Sequence, residues 1–194
     1  MLEPLPSFLD AFQIRVELVE IEPVVWRQLR VPVALSLATL HEVLQITFGW
    51  QNSHLHDFEV GEVRFGMADV EDEMFAVDER SAPLGAVTRV GSTFLYRYDY
   101  GDDWEHAVTV ERLIQGGARA IECTDGARAC PPEDSSGRAG YAALLEALAD
   151  PDHEEHADVR RWVGRRFDPE KFDSVAVNRK LATLSKRVNR QLRI

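Results

Sequence analysis

Hydrophobic and polar residues alternate along several short segments of the chain, a period of two that is typical of half-buried β-strands. The alternation runs from Phe12 to Leu18 and again from Val25 to Val31, where Arg27 interrupts it. Glu22-Pro23 forms a short turn between the two segments, so we expect these strands to pair antiparallel. Further strands are predicted at residues 54–60, 63–66, 94–100, 104–114 and 118–123.

Apolar residues recur at helical spacing in four segments. The first is 37–48, where Ser36 is a residue type that favours the N-cap and Gly49 one that ends helices. The others are 140–149, 152–163 and 174–192. This order predicts an α+β fold, a mostly antiparallel sheet with one early helix and a helical C-terminal part packed on it. We expect a single domain over residues 1–194, sheet-rich at about 12–123 and helical at about 138–194.

Composition is that of an ordinary globular protein. The 194 residues are 45% hydrophobic and 28% charged, which excludes disordered, collagen-like and coiled-coil chains. The longest apolar-rich stretch without charge, residues 31–40, is half of the roughly twenty residues that a membrane-spanning helix needs. The first residues lack the basic start and apolar stretch of a signal peptide. We therefore expect a cytoplasmic protein without a membrane segment.

The net charge of −11 is divided unevenly along the chain. Residues 178–194 carry a net charge of +6 and residues 1–177 carry −17. This acidic balance argues against a protein that binds nucleic acid with its whole surface. The basic segment has two interpretations. Its cations complement the helix dipole and the acidic body, or they make a local contact with DNA. These cations are Arg179, Lys180, Lys186, Arg187, Arg190 and Arg193.

Histidine and aspartate residues concentrate at two predicted strands and the turn beside one of them. The candidate ligands are His54, His56, Asp99, Asp102, Asp103 and His106. Because His54 and His56 are two residues apart, both imidazoles would face the same side of one strand. If the two strands are neighbours, the set has donors for a divalent metal or groups for acid–base catalysis. The alternative is a structural hairpin, in which the aspartates accept backbone amides of the turn.

Cys123 and Cys130 are a candidate thiol pair. The six residues between them exceed the two to four that are typical of a zinc knuckle. Two thiolates do not complete a tetrahedral site, so a metal would need His153 or His156 as well. Free or structural thiols are the favoured interpretation.

Several phrases occur in the order of a known family, among them Tyr-Asp-Tyr-Gly-Asp-Asp-Trp-Glu-His at 98–106 and Cys-Pro-Pro-Glu-Asp at 130–134. The other matching segments are 40–45, 48–50, 54–58, 140–141, 162 and 167–170. On these segments the chain resembles the family named after the third open reading frame of a root-inducing plasmid, also described as TnpR-like passengers of an insertion element. The resemblance implies an α+β domain and a link to mobile elements, without an established activity. Where the family commonly has Cys-Gly-Gly, this chain has Ser135-Ser136-Gly137.

The residues do not support a recombinase. Such an enzyme needs a nucleophilic hydroxyl surrounded by cations that stabilise the phosphoryl transition state. Carboxylates surround Tyr96, Tyr98 and Tyr100 in the sequence, with Arg97 as the neighbouring cation. Two functions remain: a non-enzymatic binding or interaction module with an unidentified protein partner, or a metal-dependent hydrolase or nuclease that uses the His/Asp cluster.

Overall fold

The computed structural model describes residues 6–67 and 77–192. These residues form a sheet, five α-helices and a short 3-10 helix at Glu79–Ser81. The strands are β1 (Ala11–Leu18), β2 (Trp26–Pro32), β3 (His56–Val60), β4 (Val63–Gly66), β5 (Val77–Asp78), β6 (Thr93–Tyr98), β7 (Trp104–Ile114) and β8 (Glu122–Ala127). The helices are α1 (Leu37–Phe48), α2 (Leu84–Val87), α3 (Gly137–Ala149), α4 (His156–Val163) and α5 (Ser174–Leu192).

The eight strands lie in the order β5-β4-β3-β6-β7-β1-β2-β8. Every neighbouring pair is antiparallel except β4 with β5. The hairpins β1–β2, β3–β4 and β6–β7 join neighbouring strands, as the short turns between them require. With α1 early in the chain and α3 to α5 near its C-terminal end, the predicted α+β class is confirmed.

One face of the sheet is buried and the other is polar. In β1 the side chains of Ile14 and Val16 are fully buried, whereas Arg15 and Glu17 form an ion pair on the opposite face. Apolar residues of the helices join the same core, among them Leu40, Leu144 and Leu184. The period of two along the strands therefore reflects a core that lies between one face of the sheet and the helices.

Helix α1 begins and ends where the sequence predicts. The Ser36 hydroxyl accepts the backbone N–H of Thr39 at 3.3 Å, which satisfies a donor in the first turn. Gly49 has a φ of 88°, a left-handed conformation that a residue without a Cβ adopts at little cost. The following loop, residues 49–55, contacts the segment after β6, since the Leu55 carbonyl oxygen accepts the Asp99 N–H.

Two expectations about the strands are wrong. Strand β3 begins at His56, so His54 precedes it and the two imidazoles do not share one strand face. The last strand lies at Glu122–Ala127 and not at residues 118–123. The Ala118 N–H bonds to the Leu9 carbonyl oxygen, while β8 pairs with β2 further along the chain. Both boundaries depend on pairing between distant segments, which a local alternation does not encode.

Two helices begin at other residues than predicted. Helix α3 begins earlier, at Gly137, and α4 begins later, at His156. Before α4 the Asp150 side chain accepts the Asp152 N–H at 2.9 Å, a local bond that favours a turn.

Within residues 6–67 and 77–192, no helix is both long and apolar enough to cross a membrane. Arg193 lies outside the described residues.

Candidate functional site

Three carboxylates surround the imidazole of His54, which lies in the loop between α1 and β3. Its Nε2 atom is 3.5 Å from Asp99 Oδ2, 3.6 Å from Glu133 Oε2 and 3.3 Å from Asp134 Oδ1. Ligand atoms of His54, Asp99 and Glu133 all lie within 4.8 Å of one another, close enough for one metal ion to contact all three. We call His54, Asp99, Glu133 and Asp134 the His54 cluster.

Asp99 is held by the turn that follows β6. Its φ of 59° is left-handed, a conformation that aspartate tolerates better than most residues. One carboxylate oxygen, Oδ1, accepts the N–H groups of Gly101 at 2.9 Å and Asp102 at 3.3 Å. The other oxygen, Oδ2, faces His54. The same carboxylate thus stabilises the turn and contributes to the His54 cluster, so the structural and functional interpretations of this turn are compatible.

Tyr98 connects Glu133 to the loop that carries His54. Its hydroxyl donates to Glu133 Oε1 at 3.1 Å and accepts the Ser53 N–H at 3.1 Å. The Gln51 N–H donates to the same Glu133 oxygen at 2.7 Å. Burial raises the pKa of Tyr98, so its hydroxyl keeps the proton that it donates to Glu133. This network leaves Glu133 Oε2 oriented toward His54.

Glu133 was not among the site residues predicted from the sequence. It is more than thirty residues from Asp99 and lies in a proline-containing loop, where no periodicity indicates a direction. The loop is attached to the end of α1 by a hydrogen bond from Trp50 Nε1 to the Pro131 carbonyl oxygen at 3.1 Å. The one signal in the sequence was the position of Glu133 within the phrase Cys-Pro-Pro-Glu-Asp, which carries the family resemblance.

His56 lies in a separate buried network. Its Nε2 atom is 2.9 Å from Glu79 Oε2, and both side chains are almost fully buried. Its ring stacks on His41 with centroids 3.5 Å apart. His41 Nε2 bonds to Asn52 Oδ1 at 2.7 Å, so its Nδ1 accepts the hydroxyl proton of Tyr96. Burial lowers the pKa of His41 to about 3, which keeps the ring neutral.

His106, Asp102 and Asp103 also lie outside the group that meets at His54. His106 is fully buried, its Nδ1 donates to the Tyr96 carbonyl oxygen at 3.2 Å, and burial lowers its pKa to about 3. Asp103 pairs with Arg97 at 3.1 Å and with Arg138 at 3.5 Å. Asp102 Oδ2 is buried without a hydrogen-bond partner. Of the six candidate ligands, the structure therefore brings His54 and Asp99 together.

Both cysteines are free and buried. Burial raises the pKa of Cys123 to about 11 and raises that of Cys130 well above its usual value, so neither is a thiolate at neutral pH. His153 and His156 form no ligand group with the cysteines among the described residues, and their Nδ1 atoms bond to the Glu155 N–H and the Ala147 carbonyl oxygen. Among the residues with described structure, neither cysteine belongs to a group that could hold a metal.

Arg27, which interrupts the alternation of β2 in the sequence, is a buried structural residue. It is 1% exposed, and its guanidinium donates to the carbonyl oxygens of Thr47 at 2.9 Å, Ala127 at 2.8 Å and Arg128 at 2.9 Å. It also lies over the Phe172 ring at 3.9 Å from the centroid. Arg27 therefore attaches β2 to the end of α1, to β8 and to the segment before α5.

A cleft of about 620 Å³ opens beside the His54 cluster. Its walls are the end of α1, the loop 129–134, the end of α4 and the first half of α5. Glu133 and Asp134 line both the cleft and the His54 cluster, so a ligand in the cleft would approach a metal held there. Trp162 and Lys180 line the α4 and α5 walls.

Residues 10–176 match the family described as plasmid pRiA4b ORF-3-like protein. The chain belongs to this family. It is 41% identical over 172 residues to the uncharacterized protein y4hQ of Sinorhizobium fredii (strain NBRC 101917 / NGR234), across 86% of this chain and 85% of that protein. It is also similar to the crystal structure of a protein of unknown function, MM3350 from Methanosarcina mazei Go1. That match has a TM-score of 0.78 and 34% identity, across 85% of this chain and 96% of the other.

The ORF-3-like chain exposes a basic surface on α5. Leu181, Leu184 and Val188 are buried, so the opposite side of the helix faces away from the core. The exposed cations are Arg179, Lys180, Lys186, Arg187 and Arg190. Arg187 forms an ion pair with Glu42 of α1. The remaining cations have no ion pair within residues 6–67 and 77–192.

Proposed function

We propose that this ORF-3-like chain is a divalent-metal-dependent hydrolase whose metal is held by the His54 cluster. The observation that carries the proposal is the approach of one imidazole and two carboxylates to within 4.8 Å at the edge of a cleft. A nitrogen donor with carboxylate oxygens suits Zn²⁺, Mn²⁺ or Fe²⁺. Three protein ligands leave coordination positions for water and substrate, as catalytic sites require.

The arrangement suits metal-assisted hydrolysis. A divalent cation lowers the pKa of a water molecule bound to it and so supplies hydroxide near neutral pH. Asp134 is 76% exposed and 3.3 Å from His54 Nε2, where its carboxylate would accept the proton released by that water. The water oxygen would then bond to the electrophilic atom of the substrate. The bond to the leaving group would break, and the leaving group would take up the proton held by Asp134.

Metal titration of the full-length protein tests this proposal. We expect one equivalent of Mn²⁺ or Zn²⁺ to bind and to raise the melting temperature, because a ligand that binds the native state alone stabilises it. His54→Ala and Glu133→Gln should each weaken the metal affinity at least about tenfold, since each removes a ligand. His153→Ala, a histidine outside the cluster, is the matched control.

Hydrolysis of chromogenic phosphate monoesters, phosphodiesters and carboxylic esters should appear with the metal and disappear with a chelator. A metal-free preparation that binds neither Mn²⁺ nor Zn²⁺ would overturn the proposal. Equal metal affinity in the native protein and the His54→Ala variant would contradict the assigned ligands.

The second candidate function is a non-enzymatic binding or interaction module, which the exposed basic face of α5 favours. Its partner would be an unidentified protein or a local stretch of DNA, a setting consistent with the resemblance to TnpR-like passengers of insertion elements.

Recombination has no support in the tyrosine environments: the hydroxyls of Tyr98 and Tyr100 bond to carboxylates of Glu133 and Asp57. We also infer a single domain and, from two free thiols, a reducing compartment such as the cytoplasm.

A further inference from the structure

We propose that the cleft beside the His54 cluster takes a nucleotide, with its base against Trp162 and its phosphate between Lys180 and the metal. This inference rests on the proposed hydrolase function and names its class of substrate. Water would add to the phosphate ester: its oxygen bonds to phosphorus, the phosphorus–oxygen ester bond breaks, and the sugar oxygen takes the proton. The products are a nucleoside and inorganic phosphate.

The aromatic lining of the cleft supports a planar ligand group. Trp162 is 53% exposed although it lines a concave surface. Helix α4 has no buried residue, and about half of Trp162 is open to solvent. Phe167 and Phe172 line the same cleft and are half-buried. An exposed tryptophan in a pocket offers a stacking surface, and every nucleobase has a face that stacks on it.

The charges of the cleft support an anionic group on the same ligand. Lys180 has no ion pair among the described residues, whereas Lys171 is already paired with Asp168 at 2.9 Å. Arg27 adds a buried positive charge nearby, and its guanidinium donates to backbone carbonyl oxygens. A phosphate beside Lys180 would therefore be attracted by a cation that no carboxylate of the described residues neutralises.

The carboxylates of the cleft make phosphate binding depend on the metal. Glu133 and Asp134 also line the cleft, and their negative charges repel a phosphate there. A divalent cation between them and the phosphate would offset two of these negative charges and would offer the phosphate oxygens a direct electrostatic contact. The volume of about 620 Å³ lies within the range of small-molecule sites, roughly 300–1,000 Å³. A base, a sugar and one phosphate are thus a suitable occupant.

Calorimetric titration of the full chain with adenosine 5′-monophosphate tests the inference, with the protein saturated with Mn²⁺. We expect binding that weakens at least about tenfold without Mn²⁺. Adenosine, which lacks the phosphate, and ribose 5-phosphate, which lacks the base, should each bind at least about tenfold more weakly. Trp162→Ala and Lys180→Gln should each reduce the nucleotide affinity by about tenfold while the Mn²⁺ affinity stays unchanged.

Two exposed residues outside the cleft provide matched controls. Val175→Ala removes an apolar side chain that is 60% exposed, and Arg179→Gln removes the cation next to Lys180. Both should leave nucleotide affinity unchanged. If Mn²⁺ binds but adenosine 5′-monophosphate does not, or binds equally to Trp162→Ala, the nucleotide proposal is overturned while the metal site stands. If Mn²⁺ itself does not bind, the proposed hydrolase and the nucleotide site both fall.

Discussion

At the residue scale, Tyr98 joins the parts of the His54 cluster that come from different segments of the chain. Its ring stacks on Trp50 at 4.8 Å, while its hydroxyl contacts both Ser53 and Glu133. Removing the hydroxyl alone would keep the packing and release Glu133. In the proposed metal site Tyr98 would be a positioning residue, because it would act on the metal through the orientation of Glu133 and of the loop before β3.

We expect Tyr98→Phe to weaken Mn²⁺ binding by about tenfold, the usual effect of removing a hydrogen-bond partner of a metal ligand. The free energy of unfolding should fall by about 1–2 kcal/mol, since the hydrogen bond to a charged group is lost. Isothermal titration with Mn²⁺ and urea unfolding measure the two effects. Tyr100→Phe is the matched control, because the Tyr100 hydroxyl bonds to Asp57 instead. Equal metal affinities in the two variants would contradict the positioning role.

At the element scale, α5 has one apolar face and one basic face. Its apolar side packs into the core, and the Asn178 side chain attaches it to β8 by accepting the Cys123 N–H at 2.8 Å. Its basic side faces away from the core, which matches both interpretations of the C-terminal charge. A helix whose cations only balance the acidic body needs no partner, whereas a DNA contact would have a salt dependence of its own.

The triple change Arg179→Gln, Lys186→Gln and Arg190→Gln tests the DNA contact. We expect the unmodified chain to bind duplex DNA weakly, with an affinity that falls as salt rises from about 50 to 200 mM. The triple variant should lose most of this binding and its salt dependence, measured by fluorescence anisotropy. The matched control removes three exposed cations near α4, namely Arg161, Arg165 and Arg166. No salt-dependent binding by the unmodified chain would exclude the contact.

At the scale of the whole molecule, burial in the core keeps two histidines neutral. His41 and His106 lie between the sheet and α1, and burial is the largest cause of lowering the pKa of each to about 3. His106 packs edge-on against Phe48 and Trp50, at 4.7 and 5.1 Å between ring centroids. In the unfolded chain both rings would have an ordinary pKa of about 6.5. Folding therefore releases protons below that pH.

This difference predicts that acid destabilises the fold. Below about pH 6.5 the unfolded chain binds more protons than the native protein. The free energy of unfolding therefore decreases as the pH is lowered from about 6.5 to about 3. Each histidine contributes a slope of about 1.4 kcal/mol per pH unit over that range. Urea unfolding between pH 7 and 4 measures the slope. His106→Leu should reduce the slope by about 1.4 kcal/mol per pH unit and leave the contribution of His41, whereas His153→Leu, at the surface turn before α4, should leave the slope unchanged. An unchanged slope in His106→Leu would contradict this origin.

Much of the fold is predictable because its signals are local. The alternation in β1, β6 and β7 arises because one face of each strand is buried. Ser36 caps the start of α1, and Gly49 ends the helix in a left-handed conformation. These patterns depend on a few neighbouring residues, so they survive in any tertiary context. The turn at Asp99 was predictable for the same reason, since its carboxylate bonds to amides of the next residues.

The candidate site depends on contacts between segments that are far apart in the chain. His54 and Asp99 could be selected from their residue types, but the partner that completes their group, Glu133, comes from a loop that Trp50 and Tyr98 hold in place. His56, two residues from His54, pairs with Glu79 because β3 begins between them. The sequence by itself determined the α+β class and the family. Only the tertiary structure decided which histidine meets the carboxylates, because strand pairing and loop packing set distances between residues far apart in the chain.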